Sequence, residues 1–509
     1  MNPAANQVPP ESVLSSTGVV WVTWLVLLPL LAAGVVWAYS RHSASRHWPA
    51  AARDLAACVG VLSGIAAALL LAFAPARGWP LTADYWWTAA QFQFRLRLDR
   101  FNCVFLVLLS WQFAILALTG RAAAQTASAD DAARLHAREA MALLLAFGCC
   151  IGALMAADVV TFMIFWQALA LPVVALLMFG FQDSKEASRP VAGFVAAHTL
   201  GSMAIMACFA FAWAQTGTTD PFAAGMSLFL RAVGPLRVNA VLLLLGFCCT
   251  IGAACALAAR TRFVALAPLL MTAGACLAMR YLHLFFWGYV LEPVGVVMLW
   301  ACAVAACALV GTALALRSGP AVVALLMCAG GAYLLFAVAG SLVGTGGAAA
   351  GMAYLVGLGV GLPLLAFTGV LSRRPSATRQ PAGREVRRSR LKTGRASTWP
   401  ALLGFVAVLS VAGVPGLPAF GGLALLIRAL SRAQLAPMVV MLASLAGFLV
   451  CGVQVVRRGR WPAPDEVGWS RGLVAAVVAC VLVAGLLAWL WAPAMGYAAE
   501  HIKGVGRLG

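Results

Sequence analysis

The chain has 509 residues, of which 63% are hydrophobic and only 10% charged, and its mean hydropathy is +0.94. Soluble domains carry roughly a quarter charged residues, so a water-facing fold of this composition could not cover its surface, and lipid must serve as solvent for much of it. The net charge of +19, from 35 Lys+Arg against 16 Asp+Glu, sits in short loops between apolar runs with no base-stacking or base-reading motif, which argues against a nucleic-acid partner.

Residues 1–17 hold no Lys or Arg and one acid, Glu11. A secretory signal needs a positive n-region, so this stretch reads as an uncharged extracytoplasmic tail. A helix needs about 20 apolar residues to cross the hydrocarbon core. Runs of that kind predict about fourteen transmembrane helices, over 18–38, 54–74, 101–120, 138–157, 159–180, 191–214, 238–259, 263–284, 291–316, 321–343, 350–371, 399–427, 435–456 and 472–492. The expected organisation is therefore an all-α, polytopic membrane bundle with helices 1–11 over 18–371, a basic cytoplasmic loop over 372–398, helices 12–14 over 399–492, and an extracytoplasmic tail over 493–509. The 14 cysteines lie mostly inside these runs, including the adjacent pairs Cys149-Cys150 and Cys248-Cys249, and no CxxC or Cys/His spacing points to a metal. They read as small buried hydrophobes.

Basic residues test the count. With the N-terminus outside, the inner loops hold 24 Lys+Arg and the outer segments 10, which favours both termini outside. Nine of the inner bases lie between Arg373 and Arg395, in a segment with one acid and no apolar periodicity. That composition reads as a disordered topology anchor, with adhesion to anionic lipid heads as its functional counterpart.

Two predicted spans are interrupted. Pro415 and Pro418 fall mid-span in VAGVPGLPA, over 411–419, and Pro172 lies within the fifth. Proline removes a backbone donor. Unwound backbone at membrane depth survives only against protein or a wet cavity, and transporters place ion sites at such breaks.

A proton or ion path needs titratable or coordinating groups at depth. The three lysines, Lys185, Lys392 and Lys503, all fall in predicted loops. Asp99 and Asp158 sit at helix boundaries and Glu292 in a turn before Pro293; only His198, Arg280 and His283 are expected deep. Asp158, His198 and Arg280 are the possible residual polar path. His198 could be a proton stop or bond a neighbouring carbonyl; Arg280 could pair with Asp158 or snorkel to the outer interface.

Several stretches carry a family resemblance. Leu98-Asp99-Arg100-Phe101 opens the third span; DVVTFMIFWQALALP runs from Asp158 to Pro172; AGACLAMR runs from Ala273 to Arg280; and GVPGLPAFGGLALL runs from Gly413 to Leu426. In these motifs the chain resembles the antiporter-like membrane subunits of proton-pumping NADH:quinone oxidoreductase, which are themselves related to multisubunit cation/proton antiporters. The resemblance implies a fourteen-helix antiporter-like fold with a broken helix near 411–419. It also implies a bacterial-type inner membrane and assembly beside other membrane subunits. Where the family has a Glu after Phe-Trp this chain has Gln167; where it has lysines before the MGAYGLLR-like stretch and in its GFVGK motif, the chain has Thr272 and Leu423; and the family's seventh-helix lysine falls at Thr250. Its D-L-K-R stretch before the tenth span is Ser318-Gly319-Pro320-Ala321.

Every relay position of the family is thus neutral. The expectation is a degenerate membrane-arm subunit of an NADH:quinone oxidoreductase-type respiratory complex, with no proton channel, metal or cofactor of its own. The alternative is the membrane subunit of an inorganic-carbon or cation/proton transporter that uses a non-standard path. No dinucleotide fingerprint, P-loop or iron–sulfur cysteine spacing supports a self-standing enzyme; flavin and clusters would belong to other subunits.

Overall fold

The computed structural model describes residues 15–42, 48–73, 81–87, 92–119, 129–179, 184–229, 233–260, 266–285, 291–316, 319–343, 346–372, 398–430 and 434–458. The expected last span, 472–492, the C-terminal tail, the first fourteen residues of the N-terminal tail and nearly all of the basic loop lie outside the described residues; Ser15–Thr17 of the expected tail belong to the first helix.

Helices α1 (Ser15–His42) and α2 (Trp48–Phe73) lead to a short hairpin of β1 (Leu81–Trp87) and β2 (Phe92–Leu98). Then come α3 (Arg100–Thr119), α4 (Ala129–Met155), α5 (Val159–Ala168), α6 (Ala170–Phe179), α7 (Ser184–Thr216), α8 (Pro221–Phe229), α9 (Val233–Arg260) and α10 (Leu266–Phe285). The chain continues through α11 (Glu292–Ala315), α12 (Gly319–Ser341), α13 (Gly347–Ser372), α14 (Thr398–Val411), α15 (Pro418–Leu430) and α16 (Leu435–Arg458). Eleven of the described spans are long and apolar enough to cross a membrane, with α5 and α6 counted together, and α14 and α15 supply two shorter apolar helices. In lipid every backbone polar group must be satisfied within the segment, which is why apolar sequence of this kind is helical almost throughout.

The packing runs opposite to that of a soluble protein. Large apolar side chains face outward on the peripheral helices α1, α2, α7, α11 and α16, among them Trp24, Leu62, Leu200, Val297 and Val439. The centre is α10, whose residues from Leu266 to Leu282 are nearly all fully buried. It is surrounded by α3, α4, α9, α12 and α13. The fold is a polytopic membrane helix bundle, as expected.

The hairpin is the main departure from the expected all-helical chain. Its strands pair antiparallel from Leu81 opposite Leu98 to Trp87 opposite Phe92. It also clasps two helix ends: the Ala157 N–H donates to the Arg95 carbonyl at 3.0 Å, and the Arg95 N–H donates to Thr161 Oγ1 at 3.1 Å.

Both expected breaks are present. The fifth span is interrupted at Leu169, three residues before Pro172, which has no N–H to give the Ala168 carbonyl. The twelfth is interrupted between α14 and α15. There Gly413 adopts φ +71°, its N–H reaches the Ser410 carbonyl at 3.3 Å, and the Val414 N–H reaches the Leu409 carbonyl at 3.1 Å. This pair of bonds around a left-handed glycine is a Schellman ending, which satisfies carbonyls that the helix would otherwise leave open. Pro418 then starts α15 at the position where a missing N–H costs least.

Candidate functional site

The aspartates expected at helix boundaries are helix caps. Asp99 Oδ1 accepts the Asn102 N–H at 2.8 Å at the start of α3. Asp158 Oδ1 accepts the Thr161 N–H at 2.8 Å at the start of α5, and its Oδ2 accepts from the Thr161 hydroxyl and, at 3.3 Å, from the Arg95 N–H. Asp220 does the same for α8, taking the Ala223 N–H at 3.2 Å. A carboxylate at a helix start meets unpaired N–H groups and the positive end of the dipole. Glu292 likewise stands in the first turn of α11.

Arg280, in α10, differs from both alternatives read from the sequence. It does not pair with Asp158, whose oxygens are taken by α5 and the hairpin. Nor does it reach the surface: the residue is 2% exposed, and its Nε and Nη1 meet no hydrogen-bond partner. Its guanidinium lies 5.8 Å from the Tyr281 ring centroid, and Asp99 acts on it from beyond ion-pair distance. His198, in α7, is buried between aromatic faces, stacking on Trp166 at 5.2 Å and on Phe194 at 5.6 Å between centroids. Its ring nitrogens lack a partner at full hydrogen-bond geometry, and the neighbouring carbonyl that acts on the ring is that of Trp166. His283 instead meets the Ser341 hydroxyl at 3.1 Å. The three members of the expected path thus do not form a hydrogen-bonded chain.

The four positions aligned with the family relay are scattered in environment. Thr272 is fully buried in α10, where its hydroxyl accepts from Gln112 Nε2 at 2.8 Å. The same amide nitrogen donates to the Gly359 carbonyl of α13 at 2.7 Å. Thr250 is buried in α9, with its hydroxyl 3.4 Å from the Gly246 carbonyl. Leu423 is buried in α15 and fills the space under the break, close enough that a Cβ on Gly413 would come within 2.7 Å of its Cδ2. Gln167 turns out of the bundle and is exposed, on the same face as Ile164 and Leu171. Pro415 is exposed at the break and Pro418 is buried.

Three polar groups escaped the sequence reading. Gln112 ties α3, α10 and α13 together at the axis. Tyr333 and Ser444 share a buried hydroxyl contact at 2.9 Å between α12 and α16. The buried Arg53 of α2 makes an ion pair with the half-buried Glu139 of α4 and donates to His136 Nδ1 at 2.6 Å, with His136 3.4 Å from the same carboxylate. An amide inside an apolar run was the available signal for Gln112. Nothing local announces a pair 86 residues apart in sequence.

Among the described residues no group of His, Cys, Asp or Glu is arranged to hold a metal, and the described cysteines are all unbridged. Lys185 stands in the first turn of α7, ahead of the apolar span Ser188–Thr216. No lysine lies in any described span.

No family model matches the sequence, and no curated protein matches it. Solved structures do match the fold. The chain is similar to one in the membrane-bound sulfane sulfur reductase, an archaeal respiratory membrane complex, at 14% identity and a TM-score of 0.74, covering 94% of this chain and 97% of that one. It is similar to one in the Mrp complex from Dietzia sp. DQ12-45-1b at 18% identity and a TM-score of 0.74, covering 96% and 98%. It is also similar to one in respiratory complex I from Thermus thermophilus with bound NADH, at 16% identity and a TM-score of 0.72, covering 94% and 98%. At these identities the likeness establishes an antiporter-like membrane fold.

Proposed function

We propose that this chain is an antiporter-like membrane-arm subunit of a multisubunit complex of the NADH:quinone oxidoreductase type, with no proton channel of its own. It packs beside homologous membrane subunits, crosses a bacterial-type inner membrane about fourteen times, and keeps both termini outside the cytoplasm. The structural likeness to chains of three multisubunit membrane complexes supports the assembly role.

One observation carries the inert reading. Gln167, Thr250, Thr272 and Leu423 stand where the family would hold ionisable groups, and none can change charge. A proton crossing hydrocarbon needs such groups. The acids near membrane depth are engaged as helix caps, which favours fixed geometry over proton exchange. The outward Gln167 amide supports lateral docking, because a polar group at bilayer depth is better placed against protein than against lipid tails.

Reconstitution tests this. The purified chain in liposomes with an imposed pH gradient collapses it no faster than empty vesicles. Collapse that scales with the protein content would overturn the proposal. Co-purification with homologous membrane subunits is the matching expectation for the assembly role.

A second reading, an inorganic-carbon or cation transporter, draws on Arg280, whose buried Nε and Nη1 lack partners, and on the buried His198. It requires that an Asp158→Asn/His198→Ala strain grow poorly under carbon or sodium stress; normal growth counts against it.

A further inference from the structure

We infer that a cleft at one membrane surface, between the ends of α1, α4 and α6, binds the phosphate head of an anionic phospholipid. The cleft holds about 500 Å³ and is lined by Trp37, Ser40 and Arg41 from α1, Arg138 and Met141 from α4, and Phe179 from α6. Its depth follows from the apolar spans. One ends at Arg41, one begins at Leu135 and one ends at Phe179, so three independent helix ends place the cleft where hydrocarbon gives way to head groups.

Charge selects the occupant. Arg41 and Arg138 are exposed, and neither has an ion-pair partner among the described residues. Glu139, next to Arg138 in sequence, does not line the cleft and is ion-paired with Arg53. Two guanidiniums without an ion-pair partner among the described residues therefore line one cavity at the edge of the bilayer. Their planar forks match the oxygens of a phosphodiester. The Arg41 guanidinium is held 4.5 Å over the Trp37 ring, which fixes its position while leaving its N–H edge free to donate. The Ser40 hydroxyl is turned back onto the Trp37 carbonyl at 2.7 Å, so binding falls to the two arginines.

The remaining wall distinguishes a lipid from a free anion. Trp37, Met141 and Phe179 form an apolar side that continues into the spans. A small anion would leave that side wet, whereas an acyl chain covers it while its head meets the arginines. Basic pockets between transmembrane helices take anionic head groups in this way.

The test uses the full chain in detergent. Bound lipid is measured by native mass spectrometry after titration with phosphatidylglycerol or phosphatidylcholine. Wild type retains phosphatidylglycerol in preference by roughly tenfold or more. Arg41→Gln/Arg138→Gln brings the ratio near one, while the charge-matched Arg428→Gln/Arg457→Gln leaves it unchanged. Equal retention in wild type and the first variant, or equal loss in both variants, overturns the site. Displacement of the lipid by millimolar inorganic phosphate overturns its assignment to a lipid. Should the variant misfold, photo-crosslinking of wild type with phosphatidylglycerol carrying a photoactivatable group near its glycerol decides: adducts map to the peptides bearing Trp37–Arg41 and Arg138–Met141, and adducts confined elsewhere refute the site.

Discussion

Where α2 begins, Arg53, His136 and Glu139 form a partly buried polar knot that ties two helices at one membrane end. At the middle of the bundle, Gln112 and Thr272 tie three helices with neutral groups alone. Both arrangements join segments far apart in sequence. They differ in what each costs to keep. Near the membrane end, water and head groups lie close by, so a charged pair is desolvated only in part. Gln112 and Thr272 are both fully buried, and an ionised group at such a position carries a heavy desolvation cost. Charge is paired where α2 begins, the axis at Gln112 is closed by an amide and a hydroxyl, and the buried Arg280 stands in the last two turns of α10 with Asp99 acting on it.

The difference can be tested by removing each tie in turn. The largest effect is expected at the charged end. Glu139→Ala takes the carboxylate from buried Arg53 and lowers stability by about 3–5 kcal/mol, read as thermal unfolding in detergent, whereas Arg53→Met/Glu139→Leu recovers most of that loss. A milder result from the single change would mean that the end is wetter than its burial indicates. Asp158→Ala follows, at about 1–2 kcal/mol for a lost cap, and Asp158→Asn restores part of it by keeping one acceptor for the Thr161 N–H. Loss of function in Asp158→Asn without loss of stability would point to a relay in place of a cap. Gln112→Leu comes next, at about 1 kcal/mol, since hydrogen bonds between membrane helices are individually modest. The smallest effect is expected at the outward face. Gln167→Leu changes the isolated chain by less than about 0.5 kcal/mol, but reduces co-purification of neighbouring membrane subunits if that face docks.

The sequence revealed most of what hydropathy and proline govern. The apolar runs mark the described spans, and Pro172 and Pro415–Pro418 mark both interruptions. Asp99 and Asp158 were legible as boundary residues because aspartate before an apolar run is a capping pattern. Facing was not legible. The fifth span is apolar on every side, so nothing in it showed that Gln167 looks outward while Trp166, one residue earlier, looks in and donates to Ser202. The hairpin was lost for a different reason. A window of membrane length averages away strict alternation, and Phe92–Leu98 (FQFRLRL) alternates apolar and polar residues at every step. Arg53 enters the sequence reading only within the total of inner-loop bases, since counting charges by side of the membrane takes no account of partners. Arg280 keeps its place in a family-like motif, yet its surroundings depend on α3 and the hairpin, 180 residues away in sequence.

The contact between α13 and α15 has a mechanical consequence. A methyl group on Gly357 would run into the Ala419 backbone, and one on Gly422 into the backbone of Tyr354. Two helices meshed main chain to main chain have no side-chain cushion to deform, so neither can slide or roll past the other without first separating. A segment that follows a kinked, proline-bearing turn would ordinarily be suspected of swinging; here it is keyed into its neighbour like a dovetail. Any motion transmitted through this part of the molecule must move α13 and α15 as one solid piece.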